Sequence, residues 1–182
     1  MTYVVQVTCE TDFVARNDTF DAMLDHFISI RKNADSDIEA IAQADELKAS
    51  EYTLKVGENM IIKTLTKIEG DVLASYVHSN AKNAAVIVAK AGTDPDKAKQ
   101  VAMHVVASAP QVLSPTDIGE EIVAKEREIQ LDIMKQDPKN ASKSDEILTK
   151  IIEGKMTKFR EENALLTQPF VVNPDMKVGE FI

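Results

Sequence analysis

An α+β fold follows from three observations. Apolar residues recur at helical spacing over residues 18–32 and again after Pro95. Between them lie three short strand-like segments bounded by turn residues. After Pro115 come two polar helices with narrow apolar stripes, joined by a short polar break. We expect antiparallel sheets packed on helices, with a projecting antiparallel helical hairpin. The α+β core takes residues 1–113 and 168–182, and the hairpin takes 114–167.

The first strand is the β-branched run Tyr3 to Val7. Asn17-Asp18 then offers N-cap chemistry. The helix it starts carries Phe20, Met23, Leu24, Phe27 and Ile28 at i, i+3, i+4, i+7 and i+8, a core stripe. Ser36 and Glu39 form a capping box for a short helix through Ala44. A third helical piece over 45–55 stops at Gly57, a usual residue just past a helix end.

Then the period changes. Residues 60–68, 72–78 and 84–90 read as an antiparallel three-stranded meander, with connections Glu69-Gly70-Asp71 and Ser79-Asn80-Ala81-Lys82-Asn83. The run 85–89 is apolar throughout and predicts a strand covered on both faces. Gly92-Thr93-Asp94-Pro95 starts a helix whose stripe is Ala98, Val101, Ala102, Val105 and Val106, and Pro110 stops it. Ser114-Pro115-Thr116-Asp117 is a second helix start. Ile118, Ile122, Ile129 and Ile133 give the next helix its stripe, and Asp137-Pro138-Lys139-Asn140 breaks it. Ser144 opens a partner helix with Ile147, Leu148, Ile151, Ile152, Met156 and Phe159 on one face. Charged runs such as Lys125-Glu126-Arg127-Glu128 are a solvated face. Gln168-Pro169-Phe170-Val171-Val172 returns extended to the body, Asn173-Pro174-Asp175 is a turn, and 177–182 carries apolar Val178, Phe181 and Ile182 to the last residue.

Composition narrows the function. The 182 residues are 44% hydrophobic, enough for one sizeable core or two small ones. Aromatics make up 5% and Trp is absent, so aliphatics, Ala and Met must build that core. A net charge of −9 argues against binding duplex nucleic acid, which needs Lys and Arg to replace phosphate counterions. No apolar run approaches the roughly 20 residues of a membrane span, and no signal peptide opens the chain. One cysteine, Cys9, excludes an internal disulfide framework, fits a reducing cytosol, and reads as a small buried hydrophobe. His26, His78 and His104 are far apart, so no metal site is expected. There is no Gly-rich phosphate loop or nucleophile elbow, and no cofactor is implied.

Thr11-Asp12-Phe13-Val14 sits between the first strand and the first helix. An acidic and a large aromatic side chain at such a junction need an explanation. Composition alone makes Phe13 core and Asp12 solvated, since aromatics are mostly buried. The same logic makes His104 a partly buried helix residue with a satisfied ring. Asp12 with Glu10 could also be an acid-base pair on one strand face, but no further catalytic group is visible.

The longer stretch Cys9-Glu10-Thr11-Asp12-Phe13-Val14-Ala15-Arg16-Asn17 resembles the signature of the elongation factor Ts family. Met103-His104-Val105-Val106-Ala107-Ser108-Ala109-Pro110, Gln130-Leu131-Asp132-Ile133, Glu153-Gly154-Lys155-Met156-Thr157-Lys158-Phe159 and Gln168-Pro169-Phe170-Val171 continue it in order. The resemblance implies two related α+β subdomains with a coiled-coil arm. It implies a guanine-nucleotide exchange factor without chemistry of its own, cytoplasmic or in an organellar matrix, whose partner is elongation factor Tu. Thr11, Asp12, Phe13 and Val14 would then disturb the partner's Mg²⁺ and phosphate site. Phe13 would be the wedge, Asp12 a hydrogen-bonding group, and Thr11 and Val14 the shapers of the loop. His104 would lie on a second contact surface. Ala84 and Ala85 replace a family Ile-Gly contact, within Lys82-Asn83-Ala84-Ala85-Val86-Ile87-Val88 where the family often has Gly-Arg-Ile-Gly-Val-Leu-Val. The family also carries an N-terminal helical domain and a C-terminal module, so the chain is expected to be a core piece. The competing reading is an interaction module that binds elongation factor Tu without efficient exchange, or self-associates as a homodimer.

Overall fold

Strand β1 (Thr2–Thr8) pairs antiparallel with β2 (Ile61–Ile68), although the two lie far apart in sequence. The structure is a computed structural model describing residues 1–138 and 143–182. It is of the expected α+β class, with short antiparallel sheets and helices. The chain divides into two units, Met1–Leu73 and Ala74–Ile182.

In the first unit the β1–β2 ladder carries a bulge. Val5 lies opposite Leu65, but the register shifts after Gln6 and puts Val7 opposite Ile62. Without that shift Lys63 would face Val7. The extra residue leaves Lys63 exposed and turns Ile62 toward the core, repairing an alternation that the sequence of β2 lacks.

Helix α1 (Asp18–Asn33) starts where expected, with Asn17 accepting from the Thr19 N–H at 2.8 Å. It buries Phe20, Met23 and Phe27 against Leu65 and Met60. Helix α2 (Asp37–Leu47) adds Ala40 and Ala44, both fully buried, with Ile41 and Leu47 partly buried beside them. Ser36 caps it by accepting from Glu39 N–H, while the Glu39 carboxylate turns back to the Asp35 N–H at 3.0 Å. The expected break near Ala44 is corrected. Residues there include no helix breaker, so the helix runs on through a π-helical segment, Lys48–Tyr52, into α3 (Thr53–Val56). Tyr52 is buried and its hydroxyl meets His26 Nδ1 at 2.6 Å, while burial raises the phenol above its ordinary value. Gly57, left-handed at φ +76°, ends the run as predicted.

Asp37 joins three elements of this unit. Its carboxylate takes the Arg31 Nε at 2.5 Å from α1 and the Thr66 hydroxyl from β2, while sitting at the start of α2. The Thr66 hydrogen bond, with the Arg31 hydrogen bond and charge, holds Asp37 below the usual carboxylate range.

The second unit begins within β3 (Val72–Val77), which pairs with β4 (Ala84–Ala89) as a separate two-stranded sheet. The three-stranded meander is therefore corrected. β2 spends its ladder on β1, and the turn at Gly70 passes the chain from one sheet to the next. β4 is not covered on both faces, since Val88 is exposed. Helix α4 (Pro95–Ser108) is capped by Asp94 and ends in a left-handed Ala109 before Pro110. Its Val101 packs with Leu165, Phe170 and Val178.

Helices α5 (Glu120–Gln136) and α6 (Asp145–Asn163) pack on each other through Val123, Met134, Ile152 and Met156, with Ile118, just before α5, in the same cluster. Arg127 with Glu153, and Arg160 with Glu120 at 2.7 Å, fix their antiparallel pairing. At the base, Gln111 and Val112 N–H donate to Asn163 O, and Leu165 N–H donates to Val112 O. Ser114-Pro115-Thr116-Asp117 makes a 3-10 turn rather than the helix itself, which starts after Gly119. The predicted α5 stripe is also corrected. Ile122, Ile129 and Ile133 are exposed, and the packed face is rotated onto Val123, Leu131 and Met134. Helix α5 ends at Gln136 with Asp137 as its C-cap, while Lys139 and Asn140 of the predicted break lie outside the described residues.

Past α6, β5 (Pro169–Phe170) pairs with β6 (Asn173–Lys177), and α7 (Val178–Phe181) closes the chain. Asn173-Pro174-Asp175 thus belongs to a strand, and the turn falls at 171–172. Pro174 is tolerated because its partner strand is only two residues long, so no long ladder needs its missing N–H.

The Asp37 junction predicts an acid-sensitive first unit. A carboxylate lowered by folding stabilises above its unfolded pKa, near 3.8, and loses that contribution as pH falls through the lower folded value. Asp37→Asn should melt below the parent chain at pH 7, and the gap should narrow below pH about 3.8. Thermal melts by circular dichroism across pH 2.5–7 check this.

Candidate functional site

The loop between β1 and α1 turns two neighbouring side chains in opposite directions. Phe13 is 90% exposed, whereas Val14 is only 7% exposed and joins the core of the first unit. The expectation from composition that Phe13 is core is overturned. Val14 supplies the apolar anchor instead. Phe13 precedes a 3-10 turn, Val14–Arg16, with φ −65° and ψ −45°, an unstrained backbone. Its exposure follows from where the turn points.

The turn is braced from both sides. Cys9 is half-buried against the core and its Sγ donates to Thr11 O at 3.3 Å. The same carbonyl accepts from Ala15 N–H at 3.3 Å. The Thr11 hydroxyl accepts from Val14 N–H at 3.5 Å and donates to a Glu58 carboxylate oxygen. The other Glu58 oxygen accepts from the backbone N–H of Glu10 at 3.1 Å and of Thr11 at 2.9 Å. Thr11, Asp12 and Phe13 are all exposed, so this tip is presented to solvent by groups beneath it.

Glu58 was not visible as a loop residue in the sequence. It follows Gly57, and nothing in its neighbourhood marks it beyond the helix end. The signal lies in the ladder. Thr8 is paired with Ile61, so the residues just beyond each strand end must meet.

The second unit treats its predicted residues differently. His104 is fully buried. Its Nδ1 accepts from Val171 N–H at 3.2 Å, which leaves Nε2 to donate to Gln168 Oε1 at 2.9 Å. Gln168 in turn donates to Glu162 O at 2.8 Å. The satisfied ring expected from composition is there, fully buried, and it ties α4 to the segment carrying β5. Ala84 is exposed and Ala85 half-buried at the start of β4. Among the described residues no group of His, Cys, Asp or Glu side chains could hold a metal ion. No helix among them is long and apolar enough to cross a membrane.

The protein-family model described as Elongation factor TS matches residues 10–182. The chain is 41% identical to Elongation factor Ts of Idiomarina loihiensis, over 98% of this chain and 62% of that protein. It is 39% identical to Elongation factor Ts of Klebsiella pneumoniae, over 99% and 62%. It is 38% identical to that of Marinobacter nauticus, over 99% and 61%. The chain therefore spans about 62% of the length of these curated relatives.

Burying His104 with both ring nitrogens engaged gives a stability prediction. His104→Ala would strand the Val171 N–H and Gln168 Oε1 and open a cavity beside Phe170. It should lose about 2–4 kcal/mol of unfolding free energy, measured by urea titration.

Proposed function

The chain belongs to the elongation factor Ts family, and from that premise we propose that it is a guanine-nucleotide exchange factor acting on elongation factor Tu by binding alone. The observation that carries this reading is the 90% exposure of Phe13 beside a buried Val14. An exposed ring on a braced, unstrained loop costs the fold apolar surface in water. That cost is recovered when the ring enters an apolar slot on a partner.

Exchange then needs no catalytic group. A GTPase holds its nucleotide through backbone donors at the phosphates and through Mg²⁺. A protein that binds the nucleotide-free form more tightly weakens nucleotide binding by the same factor, because coupling is reciprocal. Burying one Phe contributes about 1.5–3 kcal/mol. At about 1.4 kcal/mol per decade, that biases the equilibrium roughly 10- to 100-fold.

In this reading Phe13 enters elongation factor Tu near the nucleotide and displaces the elements that hold Mg²⁺. Asp12 hydrogen-bonds to the partner, and Thr11 and Val14 set the loop's shape. Residues 114–167 form the coiled-coil arm of the protein, and 1–113 with 168–182 its core. Ala84 and Ala85 form a second contact, altered from the family's Ile-Gly. The site of action is the cytoplasm, or the matrix of an organelle.

Stopped-flow release of a fluorescent GDP from elongation factor Tu, at fixed Mg²⁺, tests the proposal. The chain should accelerate release, and Phe13→Ala should cut that acceleration about 10- to 100-fold while its melting temperature stays unchanged. Tight binding with no acceleration by the parent chain would make it a docking module instead.

A further inference from the structure

We infer that Glu58 is the positioning residue of the Phe13 loop, holding it in the shape that presents the ring; this rests on the exchange reading above. One carboxylate gathers two consecutive backbone amides, Glu10 and Thr11, at 3.1 and 2.9 Å, and also takes the Thr11 hydroxyl. The constraint passes onward through Thr11. Its hydroxyl accepts from Val14 N–H and its carbonyl from Ala15 N–H, so the N–H groups of the first two residues of the 3-10 turn are held by a residue that Glu58 fixes.

The location makes this more than a general brace. Of residues 10–14, Val14 alone is buried. Packing therefore secures the loop on one side of Phe13, and Glu58 secures the other. Glu58 is itself only half-buried, outside the apolar core, and follows the helix-ending Gly57. Its loss should loosen the loop without opening the core. A loop ordered before contact spares the complex the entropy of ordering it during contact. The effect should therefore appear in how tightly the chain engages its partner, with little change once the ring is seated.

The experiment uses Glu58→Ala and Glu58→Gln in the full chain. Amide hydrogen exchange at Glu10 and Thr11, read by NMR on the chain alone, should speed at least about tenfold in Glu58→Ala, as expected when a protecting hydrogen bond opens locally. Melting temperature should stay near that of the parent. In GDP release from elongation factor Tu, the half-saturating chain concentration should rise about tenfold while the maximal rate stays within about twofold, the pattern of lost preorganisation. Glu58→Gln keeps one carbonyl acceptor and should fall between. Unchanged amide exchange at 10 and 11 would overturn the assignment, and so would loosened amides with parental half-saturation. A parent chain that fails to accelerate release would sink the exchange reading, while the amide data would still decide whether Glu58 orders the loop. If Glu58→Ala fails to fold, Glu58→Gln carries the same comparison.

Discussion

The antiparallel ladder of β1 and β2 is the constraint on which the first unit depends. It closes a long segment of chain, whose helices α1 and α2 must then pack on one face of the ladder. It also decides where the β1–α1 loop meets the rest of the unit. The register at Thr8 and Ile61 brings Cys9–Thr11 beside the residues that follow Gly57. The bulge at Lys63 keeps Val7 and Ile62 packed against the core up to the point where the loop departs.

Much of this was legible in the sequence because the signals were local. Asn17, Ser36, Gly57 and Asp94 mark helix ends by their own side chains or backbone freedom, and each does so in the structure. Strand pairing was not legible, since a turn such as Glu69-Gly70-Asp71 says only that the chain bends. Which strand pairs with which is settled by faces that must be buried together. Stripe assignment on α5 failed for a related reason. Isoleucines at 122, 129 and 133 share a helical face, but so do Val123, Leu131 and Met134 approximately, and facing α6 chose the second set.

Phe13 and His104 show composition failing once and holding once. An aromatic expected inside is outside, whereas the histidine expected to be partly buried with a satisfied ring is fully buried and satisfied. Each outcome rests on a neighbour. Val14 takes the buried place beside Phe13, and Gln168 with the Val171 N–H satisfies His104. The Gln168-Pro169-Phe170-Val171 motif was read as a marker of kinship, yet its glutamine and its Val171 amide are what make a buried histidine affordable. Local sequence could not reveal this, because the pairing joins residues 64 and 67 positions apart.

The convergence of Glu10 and Thr11 amides on the Glu58 carboxylate has a further meaning. Consecutive N–H groups aimed at one point form a cradle for anions, the arrangement by which many loops seize phosphate. Here the cradle is filled from within by the chain's own carboxylate. A nucleotide phosphate approaching these two amides meets a negative charge already in the seat. On the exchange reading proposed above, the loop would sit next to a nucleotide without becoming a second holder of it.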